Sequence, residues 1–146
     1  MHEERVSPKD LVFLDDLRPK EDPKWNDLAM KAYGGGLPVY FAAVPLALCI
    51  PFDVDYRPDL HPLGKEAIAA VFEEARKGNY QVLCMVVYQR GAWFVVSDDY
   101  IKLFAALKGR PDYVRCVVMG KPESELLKDV EGPMSQEDAL RALGLA

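Results

Sequence analysis

Apolar side chains recur at helical spacing in two segments of the chain. The first runs from Pro62, which suits a first helical position, to a stop at Gly78-Asn79. Its apolar residues, at i, i+3, i+4 and i+7, are Ile68, Val71, Phe72 and Ala75. The second segment places Tyr100, Leu103, Phe104 and Leu107 on one face and ends at Gly109. Both patterns predict amphipathic helices.

Continuous apolar runs predict the strands. Val39 to Val44 reads as one strand, and Leu46 to Ile50 as a second strand or a continuation past Pro45. Gln81 to Gln89 is apolar on both pleat faces, which is typical of an interior strand. A tight reversal then predicts a hairpin into the strand 93–96, and 113–119 reads as a further strand.

The two ends of the chain carry weaker patterns. Residues 1–36 predict an irregular extension with a short strand at 11–14 and a short helix that ends at Gly34-Gly35-Gly36. The tail predicts two helices, one opened by Ser124 and one opened by Ser135, which has capping-box spacing to Asp138.

Composition describes an ordinary globular protein. Of 146 residues, 50% are hydrophobic and 28% are charged, and the net charge is −5. No run of Lys and Arg provides a strong nucleic-acid signal. The longest apolar run is cut by three prolines, so no membrane helix is predicted, and no signal peptide opens the chain. The widely spaced Cys49, Cys84 and Cys116 predict buried reduced thiols, hence a cytoplasmic location.

The stretch FVVSDDYIKLFAAL places three polar residues, Ser97, Asp98 and Asp99, between a strand and a helix. One interpretation is structural, because Ser and Asp cap helices and complement the helix dipole. The other is functional, because a corner of this kind presents backbone N–H groups to a ligand.

From Val44 the predicted order is strand, loop, helix, interior strand, turn, strand, helix, strand. The segments that carry this order are VPLALCIPF, HPLGKEAIAAVFEEARKG, VLCMVVYQRGAWFVVSDDYIKLFAALKG and VRCVVMG. The order resembles the core of the ParB/sulfiredoxin superfamily. The resemblance implies an α+β fold, with helices packed on a small mixed sheet. It predicts an N-terminal extension (1–36), a core (37–121) and a C-terminal helical tail (122–146).

In that superfamily a Gly-x-x-Arg type motif at this corner contacts nucleotide phosphate. Here the matching positions are Ser97, Asp98, Asp99 and Tyr100, so the glycine and the arginine are both missing. Two carboxylates would repel a phosphate. We therefore predict a non-catalytic domain that binds a ligand or partner through these four residues and Arg57.

Two alternatives stay open. The corner could serve a nucleotide- or metal-dependent phosphohydrolase or nuclease, or the chain could be a purely structural interaction module. No cofactor is predicted, and a nucleotide with Mg²⁺ is the alternative to that prediction. A nucleotide or a protein is the expected partner, and homo-oligomerisation is left open.

Two further groups of residues were considered as sites. The loop FDVDYRPDLH offers Asp53, Asp55 and His61 as weak metal candidates, although it lacks the glycine and terminal glutamate of an EF-hand. Arg57 and Arg115 are placed where they could converge on one cleft.

Overall fold

The computed structural model describes residues 38–96 and 98–142, which form a mixed α+β fold of six strands and three helices. The strands are β1 (Val39–Pro45), β2 (Cys49–Pro51), β3 (Met85–Arg90), β4 (Trp93–Val96), β5 (Tyr113–Met119) and β6 (Lys128–Met134). The helices are α1 (Pro62–Arg76), α2 (Tyr100–Gly109) and α3 (Gln136–Ala142). The strand and helix predicted before residue 37, and Ser97 of the predicted site, lie outside the described residues.

All six strands form one mixed sheet, in the order β2-β4-β3-β5-β1-β6. The pairs β2/β4 and β3/β5 are parallel, and the other pairs are antiparallel. The predicted hairpin is confirmed, with Arg90 opposite Trp93 and Gly91 at a φ of 62° in the turn. That positive φ is one that glycine adopts without a steric penalty.

The sheet must be strongly curved. Four strand spacings separate β1 from β2, which would be about 19 Å in a flat sheet. Only the 3-10 turn Leu46–Leu48 connects the two strands, and the four residue steps from Pro45 to Cys49 can span at most about 14 Å. The curvature therefore brings the β2 edge back towards the end of β1.

The sheet buries apolar side chains on both of its faces. Along β1, Tyr40, Ala42 and Val44 belong to a core shared with α1 and α2. The alternate residues Val39 and Phe41 belong to a second core on the opposite face, which includes Ala139 of α3. This two-sided burial explains why β1 and β3 are apolar at almost every position, and it confirms that β3 is an interior strand.

Helices α1 and α2 are confirmed, with Pro62 at the first position of α1. The first-turn residue Gly64 lies against the 3-10 turn Pro58–Leu60, where a Cβ at Gly64 would be 2.0 Å from the carbonyl oxygen of Pro58. Of the helices in the described ranges, none is long and apolar enough to cross a membrane.

Two strand predictions are corrected in part. The run 46–50 begins as a 3-10 turn and becomes β2 only at Cys49. The run 81–89 likewise begins within the 3-10 turn Tyr80–Leu83, and β3 starts only at Met85. In both runs the apolar residues indicate that the segment is buried, but they do not distinguish a turn from a strand.

The first predicted tail helix is wrong, because residues 128–134 form β6 along β1. The preceding segment is tied to β3 instead, since the Gln89 side-chain amide exchanges hydrogen bonds of 3.1 and 2.7 Å with the backbone of Glu123. Ser124 accepts the N–H of Leu126 in a local turn rather than capping a helix. The second tail helix is confirmed as α3, and the Ser135 hydroxyl accepts the N–H of Asp138 at 3.0 Å.

Candidate ligand-binding site

The corner between β4 and α2 holds its acidic residues in different environments. Asp99 is the N-cap of α2, and its carbonyl accepts the N–H of Leu103 at 2.9 Å. The Asp99 carboxylate does not cap its own helix. It accepts the backbone N–H of Val86 at 2.8 Å, while Asp98 is exposed to solvent.

The sheet register explains this contact. β4 ends at Val96, opposite Val87, so Val86 has no residue of β4 beside it. Asp99 supplies an acceptor at this position. One turn along α2, Lys102 Nζ donates to the carbonyl of Cys84 at 2.8 Å. Two side chains of α2 therefore bind the backbone at the start of β3, and the role of Lys102 was not predicted from sequence.

The loop that follows β2 packs against the beginning of α2. The Tyr100 hydroxyl accepts the N–H of Asp53 at 2.8 Å, and the Tyr56 ring lies 5.1 Å from the Tyr100 ring. The Asp53 carboxylate accepts the N–H of Asp55 at 3.1 Å, which closes a local turn. The structure thus places the loop beside the corner.

Arg57 is held in this loop by a short-range ion pair. It forms a bidentate pair with Asp59, at 2.9 and 2.6 Å, and its guanidinium lies 5.4 Å from the centre of the Phe104 ring. The side chains of Arg57 and Asp59 are 14% and 8% exposed. The pair therefore anchors the loop to α2.

The expected convergence of Arg57 and Arg115 is wrong. Phe104, beneath Arg57, belongs to the core on the helix side of the sheet. Phe41, beneath Arg115, belongs to the core on the opposite face, and Arg115 is ion-paired with Glu131. The reason is the pleat, because Val114 and Cys116 point to the helix side and Arg115, between them, points away.

The weak metal candidates do not assemble in the structure. Among the described residues, no three His, Cys, Asp or Glu side chains are grouped so that they could hold a metal ion. His61 is exposed and precedes α1 as its N-cap residue.

All three cysteines are buried free thiols, as predicted. Burial raises the pKa of the Cys84 thiol. A hydrogen bond with the Cys49 thiol is the main cause that raises the pKa of the Cys116 thiol well above its usual value, and burial is the second cause. Both effects keep these groups protonated, so neither thiol is activated as a nucleophile.

A cavity of about 500 Å³ lies at the end of the sheet where β3 and β5 begin, and we call it the β5–β6 cavity. Its most buried lining residues, which we call its floor, are Leu83, Cys84 and Val114. Leu83 and Val114 belong to the helix-side core, and Cys84 belongs to the core on the opposite face. Exposed polar and aromatic side chains form its rim: Tyr80, Gln81, Arg115 and Glu131. Phe41, Tyr113, Pro111 and Met134 complete the lining.

A smaller cavity of about 240 Å³ lies on the helix side of the same turn. It shares Tyr80, Leu83 and Pro111 with the β5–β6 cavity and is otherwise lined by residues of α1 and α2. The turn Tyr80–Leu83 therefore separates two concave regions. The sequence pattern predicts a strand from Gln81 through most of this turn, so no pattern in the sequence indicated either cavity.

Compared with protein-family models, with curated proteins and with solved structures, the chain shows no match. The resemblance to the ParB/sulfiredoxin core therefore stays a prediction. The corner and the β5–β6 cavity are the two features of the described chain on which a function can be based.

Proposed function

We propose that this chain is a non-catalytic binding module with a ParB/sulfiredoxin-like core, and that it binds a small, mainly apolar molecule in the β5–β6 cavity. The cavity itself carries the proposal. Its volume of about 500 Å³ lies within the range of about 300–1,000 Å³ that is typical of small-molecule sites. An apolar floor with a few polar groups at the rim is also the usual composition of such sites.

The proposal of a non-catalytic role is supported by how the reactive groups are used. The Asp99 carboxylate binds the amide of Val86, and Arg57 binds Asp59. Both therefore contribute to the fold. The raised pKa values of the Cys84 and Cys116 thiols favour the unreactive protonated form.

The corner contributes less to a ligand site in this proposal. Arg57, which the prediction grouped with the corner, is already paired with Asp59, and the carboxylate of Asp98 is exposed at the corner. A carboxylate in that position disfavours phosphate. The binding role of Ser97, Asp98, Asp99, Tyr100 and Arg57 stays a prediction.

The cavity proposal is tested with two probes of the same shape, 2-naphthoate and naphthalene-2-carboxamide. Either probe should raise the melting temperature of the full chain, because a ligand that binds the folded state stabilises it. The matched variants change Gln81, which is exposed at the rim. Gln81→Trp should place an indole ring at the rim of the cavity and reduce the shift, and Gln81→Ser should retain it.

The two outcomes that would overturn the cavity proposal are distinct. One is the absence of any shift with both probes at millimolar concentration. The other is a shift that is equally large in Gln81→Trp and Gln81→Ser, since an indole ring at the rim should occupy space that a cavity-bound probe needs. Calorimetric titration of the same proteins measures the affinity directly.

A second candidate function is a protein-interaction module, and one observation favours it. Three large apolar side chains, Tyr56, Leu60 and Leu63, are 50%, 53% and 81% exposed within eight residues of sequence. Asp55, which precedes Tyr56, is exposed, and so is Asp98, two residues before Tyr100, whose ring contacts Tyr56. These two carboxylates would favour a basic partner. Light scattering at rising salt, compared with a Leu60→Ser, Leu63→Ser variant, would detect association through this surface.

A further inference from the structure

We infer that the molecule bound in the β5–β6 cavity carries a single acidic group, and that Arg115 and Lys128 hold this group above Ala43. The inference rests on the proposed binding function. It specifies the chemical class of the ligand as a monocarboxylic acid with a flat apolar body.

The strand register places the two cations on either side of one small residue. Ala43 of β1 is opposite Arg115 of β5, and it is opposite Lys128 of β6 beyond a register shift in the β1/β6 pairing. The Lys128 ammonium lies over the ring of Tyr113, which is two residues before Arg115 on β5 and therefore on the same face. Residues opposite each other in an antiparallel pair point to the same face of the sheet. The two long cationic side chains therefore flank the methyl group of Ala43, which leaves space above it.

Aromatic rings that line the cavity hold both cations in place. The Arg115 guanidinium lies 5.3 Å from the centre of the Phe41 ring. The Lys128 ammonium lies 4.6 Å from the centre of the Tyr113 ring. Phe41 and Tyr113 are both part of the cavity lining, so the charges are positioned at its edge rather than extended into solvent.

The charges around this position favour one anion. Glu131 is the acid among the described lining residues, and it is paired with Arg115 through one nitrogen of the guanidinium. Lys128 makes no ion pair with any residue in the described part of the chain. Arg115 and Glu131 neutralise each other within the lining. Lys128 lies outside the lining, beside Tyr113, so its ammonium gives these three groups a net charge of +1, which a single carboxylate neutralises.

The geometry of the groups favours a carboxylate joined to a ring. Arg115 retains guanidinium N–H groups beyond the one that binds Glu131, and a guanidinium fork matches a carboxylate. Apart from Arg115 and Glu131, the described lining residues are uncharged and mostly apolar, so the rest of the molecule should be apolar as well. Because the two cations lie over the rings of Phe41 and Tyr113, these rings favour a flat aromatic body that packs against their edges.

The probes 2-naphthoate and naphthalene-2-carboxamide test this inference, since they differ mainly in charge. On the wild-type chain in 50 mM NaCl the acid should bind on the order of tenfold tighter, because charge-assisted hydrogen bonds at a partly exposed rim add this much. Arg115→Gln and Lys128→Gln should each lower the ratio of the affinity for the acid to the affinity for the carboxamide. Arg141→Gln, which removes an exposed cation of α3, is the matched control and should change neither.

Each outcome decides between the two proposals. Equal binding of the two probes to the wild-type chain would overturn the acidic-group inference and leave the binding function standing. A preference for the acid that survives in both Arg115→Gln and Lys128→Gln would also overturn it. Failure of both probes to bind would overturn the binding function itself.

Discussion

The carboxylate of Asp99 accepts the backbone N–H of Val86 at 2.8 Å, so a residue at the start of α2 completes the hydrogen bonding of the central strand β3. Residues 13 positions apart in sequence are joined at the point where β4 ends and no longer covers β3. Asp98, its neighbour, is exposed.

Replacing Asp99 by alanine should destabilise the chain by about 1–3 kcal/mol, because a partly buried amide loses a charged acceptor. Asp98→Ala should change the free energy of unfolding by no more than about 0.5 kcal/mol, as is usual for an exposed residue. Urea denaturation of the two variants measures the difference. Equal losses would show that the contact with Val86 is not what Asp99 contributes.

Gly64→Ala should destabilise the chain, although alanine is intrinsically the better helix residue by about 1 kcal/mol. A Cβ at this position would lie 2.0 Å from the carbonyl oxygen of Pro58, so the turn and the helix must separate. Overpacking of this kind costs about 1–3 kcal/mol.

Gly109→Ala at the end of α2 is the matched control for this prediction. There the nearest atom to an added Cβ is in the Phe72 ring, at 3.2 Å, and that side chain can adjust. Thermal denaturation should show a clearly larger loss for Gly64→Ala. A stabilised Gly64→Ala would mean that α1 and the Pro58–Leu60 turn are not packed together.

Arg57→Ala should cost about 3 kcal/mol, because it removes the partner of a largely buried carboxylate. Arg57→Lys should recover only part of the loss, since an ammonium reproduces neither the bidentate pair nor the stacking on Phe104.

The control is Arg141→Ala, which breaks two ion pairs whose side chains are at least 60% exposed. Exposed pairs contribute about 0–1 kcal/mol, so this change should be small. Chemical denaturation in low and high salt compares the two positions. Similar losses at Arg57 and Arg141 would contradict the anchoring role of the Arg57–Asp59 pair.

The stability of the chain should fall at alkaline pH through its buried thiols. The pKa values of Cys84 and Cys116 are raised in the folded state, from a usual value of 9.0. Their contribution is therefore complete below pH 9 and is lost as the pH rises from 9 through the folded-state values, because the unfolded chain releases these protons first.

Urea denaturation at pH 7.5 and pH 10 tests this dependence. A Cys84→Ala, Cys116→Ala variant should be less stable at pH 7.5 and should lose less stability between the two pH values. The tyrosine and lysine titrations are common to both proteins, so they cancel when the two losses of stability are compared. An identical loss in the two proteins would exclude the thiols as its cause.

Local patterns in the sequence were sufficient for the elements that have a clear apolar face or a continuous apolar run. The helices α1 and α2 and the strands β1 and β5 follow directly from apolar spacing, and the hairpin of β3 and β4 follows from Gly91 between two apolar runs. The cap of α3 by Ser135 was equally local. In each case the residues that specify the element are close together in sequence.

Contacts between distant residues decided the rest. The segment 128–134 has little burial of its own and becomes a strand because β1 offers it an unpaired edge. Cross-strand register, which no local pattern encodes, aligned Arg115 and Lys128 with Ala43 and separated Arg115 from Arg57. The sequence alone thus determined the elements that have a complete apolar pattern, such as α1, α2, β1 and β5, because the spacing of apolar residues within one segment is a local property. Tertiary structure alone decided which side chains meet, because a meeting requires the sheet to curve and its strands to pair across large separations in sequence.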